Sequence, residues 1–98
     1  MDIIKTRDGE TLVIALFGRL DTSTASDFEA TLEENYEGVK ELVLDMKELL
    51  YTSSAGLRVI LNAQKKMNKQ GCMKLINVSN TIMNILDITG FLDILTIE

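Results

Sequence analysis

The sequence predicts a small α/β domain of five strands and three helices, in the order β-β-α-β-α-β-α-β, with a sheet that is parallel apart from its first strand. Apolar runs rich in strand formers alternate with stretches whose apolar residues recur every three to four positions, the periods of strand and helix. The helical stretches are bracketed by Asp, Ser or Thr before and Gly after, the expected punctuation in a chain with no proline. At 98 residues, 46% apolar and 26% charged, the composition is that of an ordinary globular protein. One domain over residues 1–98 is expected, able to bury roughly 60 to 70 per cent of its unfolded surface.

Taking the elements in order, Ile3-Ile4-Lys5-Thr6-Arg7 and Thr11-Leu12-Val13-Ile14-Ala15-Leu16-Phe17 flank Asp8-Gly9-Glu10. Asp-Gly is a favoured tight-turn pair, so these runs predict an antiparallel hairpin with the first strand at an edge. The second strand is apolar at nearly every position, which predicts burial on both faces. Gly18-Arg19-Leu20-Asp21 ends it. Thr22-Ser23-Thr24 then offers caps for a helix with Ala25, Phe28, Leu32 and Tyr36 on one face and Asp27, Glu29, Glu33 and Glu34 on the other, the latter a solvated face partly in the first turns. Gly38 closes this helix and leads to the strand Glu41-Leu42-Val43-Leu44-Asp45.

The central turn is Tyr51-Thr52-Ser53-Ser54-Ala55-Gly56-Leu57-Arg58, followed by Leu57, Ile60, Ala63 or Gln64 and Met67 at helical spacing. Ser53 and Ser54 stand where a helix needs side-chain oxygens for its first free N–H groups, and Gly56 would leave the backbone uncovered there. Such a helix start carries positive partial charge and would tolerate a phosphate on either serine. Gly71 reads as the stop of this helix, with Lys65, Lys66 and Lys69 near its end. Met73-Lys74-Leu75-Ile76-Asn77-Val78 predicts the fourth strand. Ser79 or Asn80 caps a third helix carrying Ile82, Ile85 and Leu86, Gly90 ends it, and Phe91-Leu92-Asp93-Ile94-Leu95-Thr96-Ile97 predicts the fifth strand. Right-handed crossovers between strands laid side by side would place all three helices on one face.

Composition removes several functions. Ten basic and fifteen acidic side chains give a net charge of −5, and the lysines are thinly spread, which argues against a nucleic-acid surface. With no histidine and one cysteine, zinc sites and Ser-His-Asp or Cys-His machinery cannot be assembled, and no cofactor or metal is expected. No apolar run approaches the roughly 20 residues of a membrane span. A charged N-terminus and the lone Cys72 point to the cytoplasm.

Asp45 with the apolar run before it, and then Tyr51-x-Ser53-Ser54-Ala55-Gly56-Leu57-Arg58-Val59-Ile60-Leu61, resembles the central signature of the anti-sigma-factor antagonist (STAS domain) family. Gly18-x-Leu20-Asp21 and Thr89-Gly90-Phe91 resemble two further family boxes, so the likeness covers almost the whole chain. The resemblance implies a non-enzymatic switch that binds an anti-sigma factor with serine kinase activity, frees a sigma factor, is switched off by phosphorylation and is reset by a serine phosphatase. It puts the phosphorylatable serine two residues before the signature glycine, at Ser54, with Ser53 the second choice. Asp21, Tyr51, Thr52, Ser53, Gly56 and Arg58 are then the expected partner surface. Many family members have Asp immediately before the phosphorylated serine, where this chain has Ser53. Two other readings stand beside this one. The first is a STAS module of another signalling or transport assembly that senses a nucleotide or partner without a sigma factor. The second is a phosphorelay receiver with Asp45 as acceptor, which would need a second acid beside Asp21 to hold Mg²⁺.

Overall fold

A computed structural model describes residues 1–98. The predicted hairpin is present: β1 (Asp2–Asp8) runs antiparallel to β2 (Thr11–Leu20), with Asp2 opposite Phe17 and Asp8 opposite Thr11. Gly9 takes the turn at a φ of +62°, a left-handed conformation that glycine adopts without a Cβ clash. Helix α1 (Thr22–Glu33) leads to β3 (Glu41–Asp45), which lies parallel to β2, with Leu12 beside Leu42. A short strand β4 (Leu49–Thr52) follows, then α2 (Ser54–Asn68), β5 (Cys72–Ile76) and α3 (Asn80–Ile88). The order across the sheet is β1-β2-β3-β5, and β4 pairs in parallel with the last residues of β2. All pairings except that of β1 are parallel, and the edge position of β1 is as predicted.

One hydrophobic cluster joins the sheet to the helices. Leu12, Ile14, Leu16 and Leu20 of β2, Leu42 and Leu44 of β3 and Met73 and Leu75 of β5 meet Phe28 and Leu32 of α1, Ile60 and Met67 of α2 and Ile82 and Leu86 of α3. A single core on one side is what right-handed crossovers between neighbouring strands require. It also corrects the expectation for β2, whose alternate residues Val13, Ala15 and Phe17 are only half-buried on the uncovered face. On that face Lys74 reaches Glu41 at 3.7 Å and Glu98 at 3.8 Å, partly exposed pairs of modest worth.

The strand count matches the prediction but its membership differs. Residues 91–97 are not a strand: Gly90 turns left-handed at a φ of +79°, Phe91–Asp93 forms one 3₁₀ turn, and only Ile97 bridges to Leu75. The fifth strand is instead β4, inside the stretch predicted to be a loop. Helix ends differ too. Asp21 caps α1, so Thr22, Ser23 and Thr24 lie inside it, and its first turn holds no acid. Tyr36 is buried beyond the end of α1 rather than on its face, and burial, with Glu33 and Glu29 nearby, pushes its hydroxyl up to about 12.

Candidate functional site

At their C-terminal ends β2 and β4 run side by side, with Leu20 opposite Thr52, and the Ser53 N–H donates to the Leu20 carbonyl at 2.8 Å. The next residue of each strand is a helix cap, Asp21 for α1 and Ser53 for α2. Two helix N-termini therefore begin together at the C-terminal ends of these parallel strands, each with free N–H groups and positive partial charge.

The two serines are not equivalent. Ser53 Oγ accepts from the Gly56 N–H at 3.3 Å and is the cap of α2. Ser54 is the first residue of the helix and is exposed, with no hydrogen bond from its hydroxyl to another group of the chain. Sequence alone offered both as caps; the geometry leaves Ser54 free.

Beneath them the packing is tight. Gly56 is buried, and a Cβ there would lie 2.6 Å from Leu20 Cγ and would also run into Thr52 Oγ1. The glycine lets α2 press onto β2, which corrects the expectation that it leaves exposed backbone. Thr52 is 3% exposed, and its hydroxyl donates to the Ser53 carbonyl at 3.2 Å. Thr52 and Gly56 were both expected on the partner surface; both are buried instead, because pairing in β4 turns Thr52 inward and Gly56 packs against Leu20. Asp21 and Ser53 are partly exposed, and Tyr51, Ser54 and Arg58 are exposed.

Two surface residues were missed. The Arg19 guanidinium lies 4.5 Å from the centre of the Tyr51 ring, directly across the β2–β4 pairing, and the neighbouring Leu50 is 68% exposed. A cation over an aromatic ring at an exposed site is worth about 0.5 to 1 kcal/mol, which biases Tyr51 towards this orientation beside Ser53. No local pattern marks Arg19, since its partner is fixed only once β4 exists.

Asp21 closes a reciprocal cap. Its Oδ1 accepts from the N–H groups of Ser23 at 3.1 Å and Thr24 at 3.0 Å and from the hydroxyls of Ser23 at 2.9 Å and Thr24 at 3.1 Å, while the Asp21 N–H donates to Thr24 Oγ1 at 2.8 Å. The Thr24 N–H foremost, then the Ser23 and Thr24 hydroxyls, lower its carboxyl from 3.8 to about 2. Because the folded value lies below the unfolded one, the carboxylate's contribution is complete above about pH 4 and is lost as pH falls towards 2. Asp21→Asn keeps a capping oxygen but removes the titration. Its melting temperature is expected to fall less than that of the unmodified protein between about pH 4 and pH 2; parallel falls would disconnect this carboxylate from folding.

Asp45 ties two turns together, its Oδ1 accepting from the Lys47 N–H at 3.1 Å and Asn77 Nδ2 at 3.0 Å, with Asn77 left-handed at a φ of 57°. No group of three or more metal-binding side chains forms in the chain, so the receiver reading, which needs Mg²⁺ beside Asp45, has no support in the geometry. No helix is long and apolar enough to cross a membrane.

Comparison with known proteins gives a consistent picture. The sequence profile of the STAS domain matches residues 2–98. The anti-sigma-B factor antagonist of Listeria monocytogenes is 33% identical over an alignment of 98 positions that covers 97% of this chain and 85% of that protein. Among solved structures, the anti-sigma factor antagonist SpoIIAA in its unphosphorylated form superposes with a TM-score of 0.79 at 20% identity, over 99% of this chain and 87% of that one. The Bacillus cell fate determinant SpoIIAA in the phosphorylated form gives 0.78 at 21% identity, over 99% and 91%. At these identities the structural likeness speaks for the fold.

Proposed function

The chain belongs to the STAS domain family, and from that premise we propose that it is an anti-sigma-factor antagonist whose input is phosphate on Ser54. In this reading it acts by binding and carries out no reaction of its own. It occupies an anti-sigma factor so that a sigma factor goes free, in the cytoplasm; the anti-sigma factor's serine kinase activity switches it off, and a serine phosphatase restores it. The name of the Listeria relative supports the partner class.

The observation that carries the choice of residue is the division between the serines. Phosphate on Ser53 would consume the oxygen that caps α2, whereas the Ser54 hydroxyl has no structural task. Its neighbours Ala55 and Gly56 are small, so a kinase can approach without displacing a bulky side chain. Asp21, Tyr51, Ser53 and Arg58 supply the contact surface around it, with Thr52 and Gly56 as its support.

The test is incubation with the serine-kinase anti-sigma factor of the source organism and ATP, followed by intact mass and site mapping. One phosphate is expected, on Ser54, and none in Ser54→Ala. Phosphate found on Ser53 alone, or undiminished in Ser54→Ala, would sink the assignment.

A further inference from the structure

Between α1 and α2 runs a groove of about 210 Å³, walled by Thr22, Ser26 and Glu29 on α1 and by Ala55, Arg58 and Val59 on α2. It opens one residue beyond Ser54. Residues 22, 26 and 29 fall on a single stripe of α1 at spacings of four and three, so the wall is continuous rather than a chance gathering. Its base is made of small side chains: Ala25 is buried there, and Ala55 is half-covered. Larger residues at either place would fill the space.

The two walls carry opposite charge. Glu29 and Arg58 are both exposed and neither is ion-paired, since the ion pairs of the chain both belong to Lys74. The acid on α1 and the cation on α2 are thus held apart by the groove instead of neutralising each other.

Resting on the reading of an anti-sigma-factor antagonist, we propose that this groove is the specificity element of its interface. It takes one protruding apolar side chain of the anti-sigma factor, bracketed on that partner by a cation that meets Glu29 and an anion that meets Arg58. An apolar anchor in a slot with a polar rim is the usual form of an interface hot spot. The fixed order of charges sets the orientation of the partner and rejects an anti-sigma factor that carries the reverse order, because like charges brought together cost affinity.

The experiment is calorimetric titration of the full chain with each purified anti-sigma factor of the source organism, using the unmodified protein, Ser26→Leu, Glu29→Arg, Glu29→Gln and Arg58→Glu. All four replacements are at exposed helix positions, and circular dichroism is to show each one folded. Ser26→Leu and the two reversals are expected to weaken binding by about tenfold or more, and Glu29→Gln by less than Glu29→Arg. If the unmodified protein binds an anti-sigma factor and all variants match it within about twofold, the groove is not part of the interface and the inference falls while the functional reading stands. A loss in Ser26→Leu with no effect of either reversal would overturn the charge-bracketed occupant. Failure of the unmodified protein to bind any of them would overturn the functional reading and this inference with it.

Discussion

Phosphate on Ser54 is expected to weaken binding to the anti-sigma factor by roughly thirtyfold to several thousandfold while the fold stays intact. A phosphate adds about −1.5 to −2 charges at pH 7. In the free protein that charge sits at the first residue of α2, where the helix N-terminus favours it. Arg58, four residues on, is spaced to pair with it across one helical turn. In a docked complex with Arg58 held by the partner, the phosphate must lose its water with no cation to meet it, and an unpaired charge buried at an interface costs on the order of 2 to 5 kcal/mol. At about 1.4 kcal/mol per factor of ten this gives the stated range. Capture of Arg58 by the phosphate would act in the same direction by withdrawing a contact residue. Ser54→Asp should reproduce the effect only in part, having less charge and fewer oxygens. Ser54→Ala should bind normally and resist switching, since the cap of α2 belongs to Ser53. Ser53→Ala, which removes that cap, should cost about 0.5 to 2 kcal/mol of stability. Melting temperature and affinity measured on both forms decide the matter. A phosphoprotein that binds as tightly as the unmodified one, or fails to bind only because it has unfolded, rules the mechanism out.

Gly71→Ala is expected to be among the most damaging single changes, at about 1 to 3 kcal/mol or more. A Cβ at this position would collide with the Lys40 carbonyl oxygen and come within 2.8 Å of Lys40 Cα. The neighbouring backbone has little freedom to move: the Cys72 N–H donates to that same Lys40 oxygen at 2.9 Å, and the Lys40 N–H donates to Glu10 at 2.8 Å. For a domain of 98 residues the loss corresponds to a fall in melting temperature on the order of 5 to 20 °C. Gly90→Ala is the control. Gly90 is left-handed but has no atom within 4 Å of a built Cβ, so only the cost of that backbone shape applies, about 1 to 2 kcal/mol. A urea midpoint for Gly71→Ala equal to that of the unmodified protein would refute the close approach to Lys40.

Where the sequence could be read, the signal was local. Helical spacing placed the buried residues of α2 and α3, and Asp8-Gly9 announced its hairpin. Tertiary facts escaped it. An unbroken apolar run in β2 could not reveal that helices would cover one face and leave Val13, Ala15 and Phe17 half-exposed. Leu49-Leu50-Tyr51-Thr52 is a strand only because the chain after β3 stays beside the end of β2. Phe91 to Ile97 has strand-like composition but meets the sheet at one residue. Gly71 was read as the stop of α2, but sequence could not show that its want of a side chain answers to Lys40. At the site, the signature named the turn from which α2 starts. Which serine capped, and which named residues lay under the surface, waited on β4.

The hydrogen bond from Ser53 to Leu20 has a consequence for timing. It fastens the start of α2 to the strand that leads into α1, so the two helices that frame the serine are set before any partner arrives. Association then has little ordering to do, which removes one of the usual entropic costs of docking. Nor does release have to wait for a slow rearrangement of the chain. In the proposed switch, with phosphate as its input, the response would then be set by how fast phosphate is put on and taken off Ser54 and by the dissociation of the complex.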